Sequence, residues 1–166
     1  MKINRVLQHD SGPQQVYEMS ILEEFQEAKC RDAGALSWDI SIVRDGDTAV
    51  VRTKRTLPTD GFPAILSKFV PSGITSTETI SWGAADANGH RTATLKVDMH
   101  AAPAKMHGTI SLTARPDGGS QVVVDAEFKA TVPLIGGKIE KVAAPIILGV
   151  IESEERTGQA WSADHD

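Results

Sequence analysis

Between Val132 and Trp161 the chain changes period once, and that change restricts its fold more than any other stretch. A strand pattern runs into Pro133-Leu134-Ile135-Gly136-Gly137, and an amphipathic helix pattern follows at once. Ile139, Val142, Ala143, Ile146, Ile147, Val150 and Ile151 repeat at the spacing of one apolar stripe, interrupted only by Pro145. Such a stripe must lie on a broad apolar surface. The preceding strands can supply one, and a long helix laid across a curved sheet can leave space between the two layers.

The earlier part of the chain is consistent with that partner. Ile3 to Leu7 reads as a short strand. Asp10 or Ser11 can cap a helical region that starts near Pro13 and ends by Gly34, as one broken helix or two short ones. The period then drops to two. Leu36, Trp38, Ile40 and Ile42 alternate with Ser37, Asp39, Ser41 and Val43, and Asp45-Gly46 signals a hairpin. Return strands follow over residues 48–57, 74–82, 91–99, 106–114 and 122–132, punctuated by Gly, Pro, Asn and Asp turns. Short connections imply antiparallel pairing with one dry and one wet face. The expected fold is α+β: a seven-stranded curved antiparallel sheet, two short helices and a long C-terminal helix. It forms a single domain over residues 1–161, with a disordered polar tail at 162–166.

Composition narrows the function classes. A net charge of −5 gives no electrostatic case for a nucleic-acid partner. The single cysteine, Cys30, excludes an intramolecular disulfide and fits a reducing, cytoplasmic setting. No apolar run is long enough for an integral membrane segment. The histidines show no ligand spacing, so no metal is expected, and no cofactor motif occurs. Gly136-Gly137-Lys138 lacks the upstream glycine and the following Ser or Thr of a nucleotide loop, and reads as a tight strand-to-helix turn. No catalytic nucleophile is signalled, and Cys30 has no motif-placed histidine beside it.

Strand phase selects the candidate binding residues. Glu78 shares a face with Ile74, Ile80 and Trp82, while Thr75, Thr77, Thr79 and Ser81 take the other, so this carboxylate points inward. Arg55 takes the apolar phase of the preceding strand with Val51, Thr53 and Leu57. Arg55 and Glu78 could pair across the ladder as the polar anchor of a cavity, or form a structural ion pair near the sheet edge. The walls are expected from Trp38, Ile40, Thr53, Trp82, Leu95, Met106, Phe128, Ile146 and Val150; the bland alternative for the aromatics is ordinary core packing. Phe62, Leu66 and Phe69, in the long connection between two strands, suit a lid or a small satellite helix closing the core.

The order of elements resembles the helix-grip fold of the START-like (SRPBCC) superfamily, which includes the birch-pollen allergen group, lipid-transfer START domains and polyketide cyclases. Arg55-Thr56-Leu57-Pro58, Phe69-Val70-Pro71, Thr77-Glu78-Thr79-Ile80-Ser81-Trp82-Gly83 and Val132-Pro133-Leu134-Ile135-Gly136-Gly137-Lys138-Ile139-Glu140 resemble, more narrowly, an actinobacterial family, the domain of unknown function 2505. The resemblance implies a START-like fold and an apolar ligand, and it carries no catalytic residues to transfer. The expected function is non-catalytic binding of an apolar or amphiphilic small molecule, a lipid or polyketide, between sheet and helix. The alternatives are a cyclase or aromatase-like enzyme, and a protein-interaction module with a filled core.

Overall fold

The computed structural model describes residues 1–165. Its elements run β1 (Lys2–His9), α1 (Pro13–Ser20), α2 (Glu23–Asp32), β2 (Ser37–Asp45), β3 (Thr48–Leu57), α3 (Ala64–Ser67), β4 (Ile74–Trp82), β5 (Arg91–His100), β6 (Ala104–Ala114), β7 (Ser120–Ala130) and α4 (Gly136–His165). The strands form one seven-stranded sheet in the order β1-β7-β6-β5-β4-β3-β2, antiparallel throughout. β1 therefore lies beside the last strand, and β2 forms the opposite edge.

Local sequence accounts for the joints. Gly46 has φ 58° in the two-residue turn between β2 and β3, a conformation that costs glycine little. The helical region divides at Ile21–Leu22, where Leu22 turns extended, and Gln26 Nε2 bridges the break by donating to the Ser20 carbonyl at 2.7 Å. The Gly-Gly turn before α4 is an issue of space. A Cβ on Gly136 would sit 2.6 Å from the Ala130 carbonyl oxygen, so only glycine lets the helix start this close to the end of β7.

The core lies between the concave sheet face and α4. Val51, Leu95, Val97, Met106, Ile110, Val124 and Phe128 come from the sheet, and Ile139, Ala143 and Ile151 from the helix, all buried. Trp82 is buried at the end covered by α1, meeting Tyr17 edge-to-face at 5.8 Å. Arg91 closes that same end. Its guanidinium lies 3.5 Å from the Tyr17 ring centre and donates to the carbonyls of Asp47 and Gly83 and to Asp47 Oδ1. The edge at β1 is guarded by α4: the Gln8 N–H donates to Glu155 Oε1 at 2.9 Å, and the Gln8 carbonyl accepts from Gln159 Nε2 at 3.1 Å.

α4 is continuous through Pro145, which sits at an exposed position. It also extends over residues 162–165, where the polar sequence reads as a tail. Trp161 packs edge-on against Phe25 with ring centres 5.7 Å apart, and His165 stacks on Trp161 at 4.0 Å. Those ring contacts continue the helix beyond its aliphatic stripe. Asp166 lies outside the described residues.

Near the C-terminal part of α4, Gly158 makes room for His9. A Cβ there would stand 2.7 Å from His9 Cε1. His9 is buried with no hydrogen-bond partner for Nδ1. Burial pushes its pKa below 6.5, with Arg115 in the same direction and Glu155 and Asp10 opposing. A histidine depressed in the folded state favours folding above its unfolded pKa, and that contribution is lost as pH falls. The expected result is a melting temperature that begins to drop as pH passes below 6.5. The His9→Asn variant should lack this component; an identical profile for variant and parent would refute the assignment.

Candidate functional site

Between the sheet and α4 is a cavity of about 210 Å³. β1 and β3 to β7 form its floor, among them Leu57, Ile80, Leu95, Val97, Met106 and Phe128. Its roof is the α4 stripe, including Ile146, Ile147 and Val150. Those three are only half-buried although they stand at the middle of the stripe, whereas Ile139 and Ile151 at its two ends are buried. The helix thus bridges the hollow of the sheet without filling it. Packed interiors rarely leave an apolar gap of this kind, because every lining atom forfeits contacts.

One wall is charged. Glu154, three and four residues beyond Ile151 and Val150, continues the α4 stripe to the cavity's side. Arg55 Nη2 donates to Glu154 Oε1 at 3.1 Å, and Lys29 Nζ, from α2, lies 3.5 Å from Glu154 Oε2. Lys29 Nζ also lies 3.6 Å from Glu78 Oε1. Side-chain exposures of 8% for Lys29 and Arg55, 15% for Glu78 and 20% for Glu154 place the four mostly out of water. Burial alone would push the Glu154 carboxyl up; the neighbouring Lys29 and Arg55 prevail and hold it below the usual carboxylate range. Burial likewise opposes charge on Lys29 and Arg55, and Glu154 and Glu78 reverse this, raising both. Burial pushes up the thiol of the adjacent Cys30, which is fully buried, with Arg55 and Lys29 opposing.

The expected residues fall into two groups. Arg55, Glu78, Leu95, Met106, Phe128, Ile146 and Val150 line the cavity, as do Phe62, Leu66 and Phe69 from the β3–β4 connection. Trp38, Ile40, Thr53 and Trp82 are not part of its wall. Trp38 and Ile40 have the inward phase but sit on edge strand β2, which contributes no cavity residue; Trp38 remains 36% exposed. Thr53 is buried opposite Glu78, and Trp82 is taken by Tyr17. The proposed cross-ladder ion pair is replaced by a different arrangement. Arg55 stands opposite Ser76 and Glu78 opposite Thr53, so both charged side chains turn to partners on helices instead. Lys29 and Glu154 were missed. Both carried a signal: each is a charge on the buried phase of an amphipathic helix, Lys29 one turn after Phe25 and Glu154 one turn after Val150.

Among the described residues, no group of three or more His, Cys, Asp or Glu side chains is arranged to hold a metal ion. Among the same residues, no helix is long and apolar enough to cross a membrane.

Known proteins share this architecture. A START superfamily protein of Mycobacterium smegmatis superposes with a TM-score of 0.55 at 14% identity, covering 96% of this chain and 98% of that one. A truncated norcoclaurine synthase of Thalictrum flavum gives a TM-score of 0.60 at 12% identity, with 100% and 95% coverage. At these identities the likeness speaks to the fold, which is START-like. In sequence, the uncharacterized protein Rv0481c of Mycobacterium tuberculosis is 24% identical over 118 residues, 70% of this chain and 67% of the relative. Residues 7–161 match the family described as protein of unknown function DUF2505, and the chain belongs to that family.

Proposed function

We propose that the protein is a non-catalytic carrier of a small apolar or amphiphilic molecule, held between the sheet and α4. The observation that carries this reading is the unfilled space of about 210 Å³ beneath a helix stripe whose central residues remain half-buried. An apolar cavity of about 150 Å³ accepts benzene, so this one suits roughly eight to ten non-hydrogen atoms as it stands. A longer lipid or polyketide needs Phe62, Leu66 and Phe69 to move aside as a lid. Apolar burial supplies affinity at about 25 cal/mol per Å² before ordering costs. Arg55, Glu78 and Glu154 supply the polar contacts at one wall. The buried free thiol of Cys30 suits a cytoplasmic setting.

An open cavity argues against an interaction module with a filled core. The enzyme reading keeps one observation, a Glu78 carboxylate on the cavity wall. Against it, Glu154 is held ionised by two cations and is a poor proton donor near neutral pH.

Native mass spectrometry of the freshly purified protein tests the carrier reading. The expected result is an adduct that organic extraction removes and identifies, and that Val150→Trp, which fills the cavity, abolishes. A bare protein whose melting temperature ignores fatty acids, quinones and polyketides would overturn it.

A further inference from the structure

We infer that the cavity selects ligands whose polar end is neutral and both donates and accepts hydrogen bonds, a hydroxyl or an amide, over the matching carboxylate or amine. This rests on the carrier reading above and adds the charge class of the ligand. The charges already balance, with Arg55, Glu78 and Glu154 at the wall and Lys29 behind it: two cations against two carboxylates. Glu154 is engaged at both oxygens, Oε1 by Arg55 and Oε2 by Lys29. Glu78 has the weaker arrangement, with a 3.6 Å approach from Lys29 to Oε1 alone, while its side chain borders the cavity. Arg55 also borders the cavity and directs Nη2 to Glu154, one of the five N–H donors a guanidinium carries. An entering polar group therefore meets a carboxylate acceptor and a guanidinium donor side by side.

Chemistry decides what fits between them. A hydroxyl or a primary amide can donate to Glu78 and accept from Arg55 at once. A carboxylate can only accept, so it leaves Glu78 unanswered and brings a third negative charge into a poorly hydrated, otherwise balanced wall. An ammonium can only donate, and it adds a third positive charge beside Lys29 and Arg55. Every charge in the group is already matched by another, so either excess charge leaves the group unbalanced, and burying an uncompensated charge is costly. The remainder of the wall is largely aliphatic and aromatic, with Ser76 as a further hydroxyl, and offers no other ionic partner among the described residues.

Size-matched single-ring probes test this on the purified chain at pH 7 by calorimetric titration. One pair is para-methylbenzamide and para-methylbenzoate; the other is para-ethylbenzyl alcohol and para-ethylbenzylamine; ethylbenzene serves as the apolar reference. The neutral member of each pair is expected to bind about tenfold tighter or more than its charged partner, and tighter than ethylbenzene. Glu78→Gln, which removes one negative charge with little change in shape, should narrow the gap between benzamide and benzoate. The ranking on the unaltered protein stands as a test even if that variant does not fold. Ethylbenzene binding with benzoate equal to or tighter than benzamide would overturn the charge selection and leave the carrier reading intact. Binding of none of the five would overturn both.

Discussion

Gly108→Ala is expected to lower stability by about 3 kcal/mol or more, a fall in melting temperature of roughly 6–12 °C for a chain of this size. The reason is backbone. A Cβ on Gly108 would lie 2.1 Å from the Asp125 carbonyl oxygen and 2.5 Å from Ala126 Cα, atoms that cannot rotate away as a side-chain tip could. Gly108 stands opposite Ala126 in the ladder, between Met106 and Ile110, which both line the cavity floor. Glycine lets β6 and β7 approach this closely at the centre of the floor, so the methyl group would force the two strands apart. Gly149→Ala provides the internal comparison. Gly149 is exposed on α4 with nothing within 4 Å of the added carbon, and the change should stabilise by about 0.5–1 kcal/mol through helix propensity. Thermal unfolding of both variants checks the pair. Equal and small effects would mean that the β6–β7 approach is looser than described.

Glu154→Leu should have an effect of similar size, about 3–5 kcal/mol, for an electrostatic reason. Glu154 faces both Lys29 and Arg55, so its loss leaves two mostly buried cations with Glu78 alone. Removing a cation as well, as in Lys29→Met with Glu154→Leu, restores the balance of one Arg55 against one Glu78 and should recover much of the loss. A double-mutant cycle measures that coupling. Purely additive effects would show that the four charges do not act as a unit. The pH dependence has a definite sign. Glu154 is depressed in the folded state, so its contribution is present above its unfolded pKa near 4.5 and lost as pH falls below that value. Lys29 is raised, so its contribution is intact below 10.5 and lost as pH climbs through the folded value. Denaturant midpoints of the parent protein should therefore decline at both extremes, and the Lys29→Met, Glu154→Leu variant should be flatter at each.

The architecture was legible because it depends on periodicity. The switch from alternate to helical spacing after Val132, and the Gly-rich turns between strands, determine element type and order. The lateral position of a strand has no such signature. Trp38 and Ile40 carry the inward phase, but phase specifies the face a side chain takes and leaves open whether its strand lies under the helix or at the rim. Trp82 has the same ambiguity along the strand rather than across it: its inward face is right, and α1 covers that end. The ion pairs posed a third kind of difficulty. Arg55 and Glu78 were visible as inward charges, yet their partners lie far away in sequence, Glu154 99 residues from Arg55. Lys29 and Glu154 broke the rule that buried helix phases are apolar, and taking each breach as a request for a counter-charge would have brought the four together.

The placement of β1 beside β7 has a consequence for how the molecule is made. Lys2 pairs with Glu127, and His9 with Ser120, so β1 has no ladder partner until β7, the last strand of the sheet in sequence, has been synthesised. The oily hollow stays bare longer still, because its roof, α4, follows all seven strands in the sequence. Before α4 closes over it, the emerging polypeptide presents a sticky trough, the kind of exposed apolar surface that makes a partly folded chain prone to aggregate.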